Sequence, residues 1–217
     1  MNALSPQDAY RLWAPSYAEE TAITTLDEEL IGALSPDCAG RRLLDAGCGT
    51  GRRLPSDAAM AAGIDLSPEM LSAGGQAMVA AADVRALPFE KDCFDLIWCR
   101  LVLGHLADPE LAYRELARVC KVGGHLMVTD FHADAANAGH KRSLRDVNGQ
   151  VHAIEHYIHN DIAHIAMAEA TGWSLIKQCD ARVGQSVERF YTAAGRDGAY
   201  AKDFGLAVVA AFLFRRM

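Results

Sequence analysis

Three glycines two residues apart, Gly47, Gly49 and Gly51, follow Asp45 at the end of the apolar pair Leu43-Leu44. Glycines at this spacing turn the backbone tightly and bring it against a ligand that any Cβ would hold off. Such a loop suits a dinucleotide, a nucleoside or a plain turn, and alone it does not choose among them. A second acid, Asp65, closes Gly63-Ile64 and precedes Ser67-Pro68-Glu69, which read as an N-cap, a first helical residue and a favourable first-turn acid. Histidine supplies the other chemistry, because seven of the eight histidines fall between residues 125 and 164. At helical spacing His152, His156 and His159 would share one face, as a metal triad requires. Asn148-Gly149, flanked by Leu144, Val147, Val151 and Ile154, signals a β-hairpin instead. On a strand over 150–158, His152 and His156 share a face and His159 points away, so no metal is expected and the segment reads as a polar lid. Six cysteines without a C-x-x-C pair make neither a zinc ribbon nor a disulfide scaffold.

The elements that must position these groups alternate. Short apolar strands are predicted over 41–45, 63–65, 77–82, 94–98 and 125–129, then 173–179 and 206–214. Asp108-Pro109 starts a helix with the apolar stripe Leu111, Ala112, Leu116 and Val119, and Gly123-Gly124 is expected to end it. Asn160 caps a helix to about Ala170, and 186–200 reads as another helical stretch. This alternation implies a doubly wound α/β fold with a mostly parallel, seven-stranded sheet and an antiparallel last strand. The expected division of one domain over 1–217 is a helical cap (1–35), a core (36–130), a lid and hairpin insertion (131–160) and the rest of the sheet (161–217). Only thirteen residues, with Pro55 among them, separate Gly51 from Asp65, which shortens the first crossover to a turn or two of helix.

Composition narrows the partners. Twenty-one Lys and Arg against 28 Asp and Glu give a formal charge of −7, which disfavours nucleic acid. The longest apolar run, Leu206 to Phe214, is nine residues, far short of the roughly 20 that a membrane helix needs. The polar opening Asn2, Ser5, Gln7 and Asp8 shows no basic apolar leader, so a cytoplasmic protein is expected; a monomer or homodimer is the expected assembly.

Ordered motifs sharpen the reading. Leu43-Leu44-Asp45-Ala46-Gly47-Cys48-Gly49-Thr50-Gly51, then Gly63-Ile64-Asp65-Leu66-Ser67-Pro68-Glu69-Met70-Leu71, then Ala82-Asp83-Val84-Arg85-Ala86-Leu87-Pro88-Phe89 resemble the class I S-adenosylmethionine-dependent methyltransferases. The similarity continues through Phe94-Asp95-Leu96-Ile97-Trp98 and Glu115 to Gly124, and its flavour is the small-molecule branch with the quinone-biosynthesis methyltransferases. The resemblance implies a Rossmann-like fold with S-adenosylmethionine as cofactor. It implies that Asp45 and the backbone of Gly47 and Gly49 hold the methionine end, with Cys48 filling space. Asp65 then takes the ribose hydroxyls, Leu66 packs on adenine, and Asp83 and the Val84 amide read the base edge. Cys99 is expected near the transferable methyl, and Tyr10 and Tyr17 close over the cofactor, with core packing as the competing reading for both.

The acceptor is expected to be a small metabolite. Trp98-Cys99-Arg100-Leu101-Val102-Leu103-Gly104-His105 lacks the Asn/Asp-Pro-Pro-aromatic stretch that holds a base in DNA and many RNA methyltransferases. His105 is the candidate general base, or else a cap of the Asp108 helix region. Arg100 would bind an acceptor carboxylate or phosphate, or lie solvated at the surface. Phe131, His132, His156 and Tyr157 are expected around the acceptor. The function expected is O-, N- or C-methylation with release of S-adenosylhomocysteine. The alternatives are carboxyl O-methylation of a free or carrier-bound acid, which Arg100 would serve, and a non-catalytic cofactor-binding regulator.

Overall fold

A computed structural model describes residues 3–17 and 20–217. Asn2 of the polar opening and part of the 1–35 cap lie outside the described residues. The chain begins with α1 (Pro6–Trp13), whose Ser5 hydroxyl accepts from the Asp8 amide at 3.2 Å, and a 3-10 turn at Ala14–Ser16. Next comes α2 (Ala22–Leu34), opened by a capping box between Thr21 and Thr24. Then follow β1 (Arg42–Ala46), β2 (Met60–Asp65), α3 (Pro68–Gly74), β3 (Val79–Ala81), β4 (Phe94–Arg100), α4 (Glu110–Val119) and β5 (Cys120–Phe131). The second half contains α5 (Ala133–Asn137), β6 (Ser143–Arg145), β7 (Val151–Ala153), α6 (Asp161–Ala170), β8 (Trp173–Arg182), α7 (Gln185–Ala193), α8 (Asp197–Asp203) and β9 (Ala207–Arg216).

Seven strands form one sheet in the order β3-β2-β1-β4-β5-β9-β8. β9 pairs antiparallel with both β5 and β8, while β1 to β5 pair in parallel. The fold expected from the alternation is the fold observed, down to the antiparallel last strand and the separate β6-β7 hairpin around Asn148-Gly149. Both sheet faces are buried, and strand alternation sorts their side chains. Leu44, Ile97, Cys99 and Val128 pack against Tyr113 and Leu116 of α4 and Ala168 of α6. Leu43, Leu96, Trp98 and Met127 pack against Leu26, Leu30 and Leu34 of α2 and Val187 of α7.

Several boundaries differ from the expectation. Gly123-Gly124 does not stop α4; the helix ends at Val119, and the glycines lie inside β5, where the register to β4 shifts between Phe94 and Leu96. Gly123 takes φ 81°, and a Cβ on Gly124 would sit 2.7 Å from Cys120 Sγ, so the pair makes a bulge. No helical turn is formed between β1 and β2, where the short connection runs as turns and bends. The predicted helix over 186–200 is two helices, broken around Gly195 at φ 64°. The strand expected over 150–158 is only Val151–Ala153, so alternation does not govern His156 or His159.

Candidate active site

The C-terminal ends of β1, β2 and β4 open on a cavity of about 500 Å³, roofed by α1 and the turn after it. Its floor is the glycine loop. The amides of Gly47 and Cys48 both donate to the Ile64 carbonyl, at 2.7 and 2.9 Å, which ties the loop to β2. Gly47 holds φ 91°, and a Cβ there would run into Val102. Asp65 is fixed by two backbone donors, Gly49 N to Oδ2 at 2.8 Å and Ser67 N to Oδ1 at 2.9 Å. Burial raises its pKa, and these amides limit the rise.

Asp45 carries the strongest electrostatic feature. Its carboxylate is buried at the end of β1, lines the cavity, and has no hydrogen-bond partner at Oδ1. Burial pushes its pKa up to about 6, with the Arg100 guanidinium opposing. An ionised carboxylate left unpaired in such a place invites a cationic donor. Leu66, half exposed, and Val84, buried, line the same cavity. So does Asp83, whose carboxylate is forked by its neighbour Arg85 at 3.0 and 2.6 Å, a pairing that holds its pKa low. Cys48 also lines the cavity and fills the space over Gly63, where a Cβ would lie 2.6 Å from its sulfur. Tyr17 covers the loop, 3.2 Å from the Cβ that Gly49 lacks.

A second group gathers beside the first. His105 ends a 3-10 turn (Leu103–His105) after β4; its Nε2 shares a hydrogen bond with the Tyr10 hydroxyl at 2.9 Å, and its Nδ1 lies 3.3 Å from the Glu155 carbonyl. Burial first, then Arg142 and His156, lower its pKa to about 4, so the ring is neutral near pH 7. It faces the cavity rather than capping the Asp108 region. Tyr157 lines the cavity as well, its hydroxyl donating to Glu155 Oε1 at 2.8 Å. Arg142, which sequence reasoning did not single out, completes this group.

Five expected residues are placed otherwise. Cys99 shares the side of β4 that packs on α4, so strand alternation turns it into the core and away from the cavity. Arg100, one residue on, does line the cavity but faces α2. There it pairs with Asp27 at 3.0 and 2.5 Å and with Glu28 at 3.1 Å, so it is neither a solvated surface arginine nor a free anion binder. His132 caps α5, accepting from the Asp134 amide at 3.0 Å, and lies outside the cavity, 3.7 Å from Asp180. His156 is buried behind the cavity, 3.5 Å from Asp130 and edge-on to the rings of His105 and Phe131, so Phe131 stands in the core as well. His164 approaches the same Asp130 at 3.4 Å and bonds Tyr113 at 2.8 Å. His152 pairs with Asp146 at 2.9 Å and His159 with the Leu106 carbonyl at 2.9 Å, so the three histidines considered for a metal do not converge.

With these positions fixed, comparison with known proteins assigns the stretch that builds the floor. Residues 44–128 match the methyltransferase-domain family. The match falls within the residues that carry the resemblance read from the motifs. The chain is 41% identical over 108 residues to a malonyl-[acyl-carrier protein] O-methyltransferase of Herminiimonas arsenicoxydans, covering 46% of this chain and 39% of that protein. It is 35% identical over 115 residues to the ubiquinone/menaquinone biosynthesis C-methyltransferase UbiE of Xylella fastidiosa, 45% of each chain. The chain thus spans about half the length, or less, of these curated relatives. An S-adenosylmethionine-dependent methyltransferase structure from Mesorhizobium loti superimposes with TM-score 0.67 at 19% identity, covering 88% of this chain and 98% of that one. That likeness carries the fold. Among the described residues no helix is long and apolar enough to cross a membrane.

Proposed function

We propose that this protein is an S-adenosylmethionine-dependent methyltransferase acting on a small metabolite. The observation that carries the reading is Asp45: a buried carboxylate with an unpartnered oxygen, set above a glycine floor in the cavity that also holds Asp65 and Asp83. Three acids along one cavity suit a ligand rich in donors and free of phosphate, with an ammonium for Asp45, a diol for Asp65 and an exocyclic amine for Asp83. A pyrophosphate cofactor would meet repulsion from Asp45 and Asp65, neither of which has a cation within ion-pair distance among the described residues. The floor fits too, because the space next to Gly49 is bounded by Tyr17 and Met70 and a Cβ there would narrow it.

When bound, the cofactor supplies a methyl group made electrophilic by its sulfonium. The chain's own task is alignment and exclusion of water. The α1 turn brings Tyr10 and Tyr17 over the cavity, and Trp13 packs between them, its ring centroid 5.9 Å from Tyr10 and 4.8 Å from Tyr17. Neutral His105 offers a proton-accepting nitrogen shared with Tyr10, a weak base that fits an acceptor needing little deprotonation. The working partner proposed is a small methyl acceptor, with no nucleic acid, in a cytoplasmic monomer or homodimer. Isothermal calorimetry with S-adenosylmethionine, S-adenosylhomocysteine and NAD tests the cofactor. Binding of the first two and not of NAD is expected; no binding, or preference for NAD, overturns the reading.

A further inference from the structure

We propose that Arg142 is the specificity residue of this site and that the methyl acceptor is a small organic acid whose carboxylate pairs with it. The proposal rests on the methyltransferase reading above for what happens to the acid, and on Arg142 itself for the charge. Arg142 is 7% exposed, lines the cavity, and has no hydrogen-bond partner at Nε. Among the described residues no carboxylate lies within ion-pair distance of its guanidinium. The contrast with Arg100 is direct, since that equally buried guanidinium is met by both Asp27 and Glu28.

The acids near Arg142 are otherwise engaged. Glu155, on the same cavity, accepts from the Tyr157 hydroxyl at 2.8 Å. Asp65 is held by the Gly49 and Ser67 amides, and Asp130 faces His156 and His164. What stands beside the guanidinium is the Tyr10 hydroxyl, a neutral oxygen. A buried cation without a counter-ion costs several kcal/mol, and an incoming anion removes that cost.

Position and shape favour a carboxylate. Arg142 directly precedes β6, and its carbonyl accepts from the Ile154 amide at 2.9 Å, while Leu4 bridges to Ile154. The guanidinium is therefore carried on a hydrogen-bonded strand end, next to the Tyr10-His105 pair. A planar guanidinium offers two parallel N–H donors, the complement of a planar carboxylate, and its single positive charge balances a single negative one. The other arginines on the cavity, Arg53, Arg85 and Arg100, are each met by an acid, which leaves Arg142 as the cation that an entering anion would find without a counter-ion. The carboxylate that the sequence reading gave to Arg100 belongs to Arg142.

Benzoate and benzamide, alike in shape and different in charge, test this by calorimetry on the full chain, with and without saturating S-adenosylhomocysteine. Benzoate is expected to bind at least about tenfold more tightly than benzamide, a difference that Arg142→Gln abolishes and Arg142→Lys retains in part. Equal binding of the two probes, binding of neither, or a benzoate preference that survives in Arg142→Gln overturns the proposal. Tighter binding of inorganic phosphate than of benzoate overturns the carboxylate assignment. The wild-type comparison needs no variant to fold. Failure of the cofactor reading shows separately, as absence of S-adenosylmethionine binding while the benzoate preference persists without nucleoside.

Discussion

At the scale of single residues, the site is a set of charges held at a cost to the unliganded fold. Asp45, raised to about 6 by burial, binds more protons when folded than when unfolded between pH 4 and 6, so its contribution to stability declines as pH rises through that window. Removing the charge therefore stabilises the unliganded protein at pH 7. Asp45→Asn is expected to gain up to about 2–3 kcal/mol in urea unfolding at pH 7 while losing S-adenosylmethionine binding. A variant no more stable than wild type would show that Asp45 has a partner in solution. The same ionisation predicts a pH profile: cofactor affinity falls as pH drops below about 6, because the protonated acid no longer attracts an ammonium. His105, lowered to about 4, stays neutral over that range, so the fall should appear in KM for the cofactor with kcat nearly unchanged. Asp65→Ala, by contrast, removes at every pH the carboxylate proposed for the ribose diol and should weaken cofactor binding by about tenfold or more, read by calorimetry.

At the scale of elements, legibility follows the range of the cause. The glycine loop, Asp65 before Ser67-Pro68 and the Asn148-Gly149 hairpin are written in a few consecutive residues, and each stands where local chemistry put it. Cys99 and Arg100 were assigned to the wrong neighbours because β4 is apolar on both faces, so the sequence pattern hides which parity faces α2 and which α4. Arg142 was invisible for a different reason: what marks it is the lack of a counter-ion, a property of the whole surroundings. That His105 lies at the cavity is legible from its place after β4, but its low pKa is not, since that comes from burial and from Arg142, 37 positions along the chain. The 3-10 turn that carries His105 gives an element-level test. A Cβ on Gly104 would run into His156 and lie 2.7 Å from Asp130 Oδ1, so only glycine lets the turn sit on that buried pair. Gly104→Ala should cost about 1–3 kcal/mol in thermal or urea unfolding and lower turnover by displacing His105. Unchanged stability would mean that His156 has room to move.

At the scale of the whole molecule, the cap and the centre of the sheet are joined through one buried acid that also sets the charge of the cofactor end. Asp27 of α2 is fully buried; its Oδ2 accepts from Arg100 on β4 at 3.0 and 2.5 Å, and its Oδ1 accepts from the Thr129 hydroxyl on β5 at 2.6 Å. Asp27→Ala removes the buried partner of Arg100 and leaves it only the half-exposed Glu28 at 3.1 Å, so it should cost up to about 3–5 kcal/mol, seen as a lower urea midpoint at unchanged slope. Asp27→Leu with Arg100→Met removes both charges and should recover most of that loss. The recovery does not extend to function. Burial drives the Asp45 pKa up, Arg100 is the largest influence holding it down, and Asp27 is a smaller one pushing it up, so a stable protein without both still has an Asp45 that protonates at higher pH. The double variant is therefore expected to fold normally yet show the pH-dependent loss of S-adenosylmethionine affinity displaced upward, toward neutral pH. An unshifted profile in a well-folded double variant would separate the α2 tie from the cofactor end and confine Arg100 to packing.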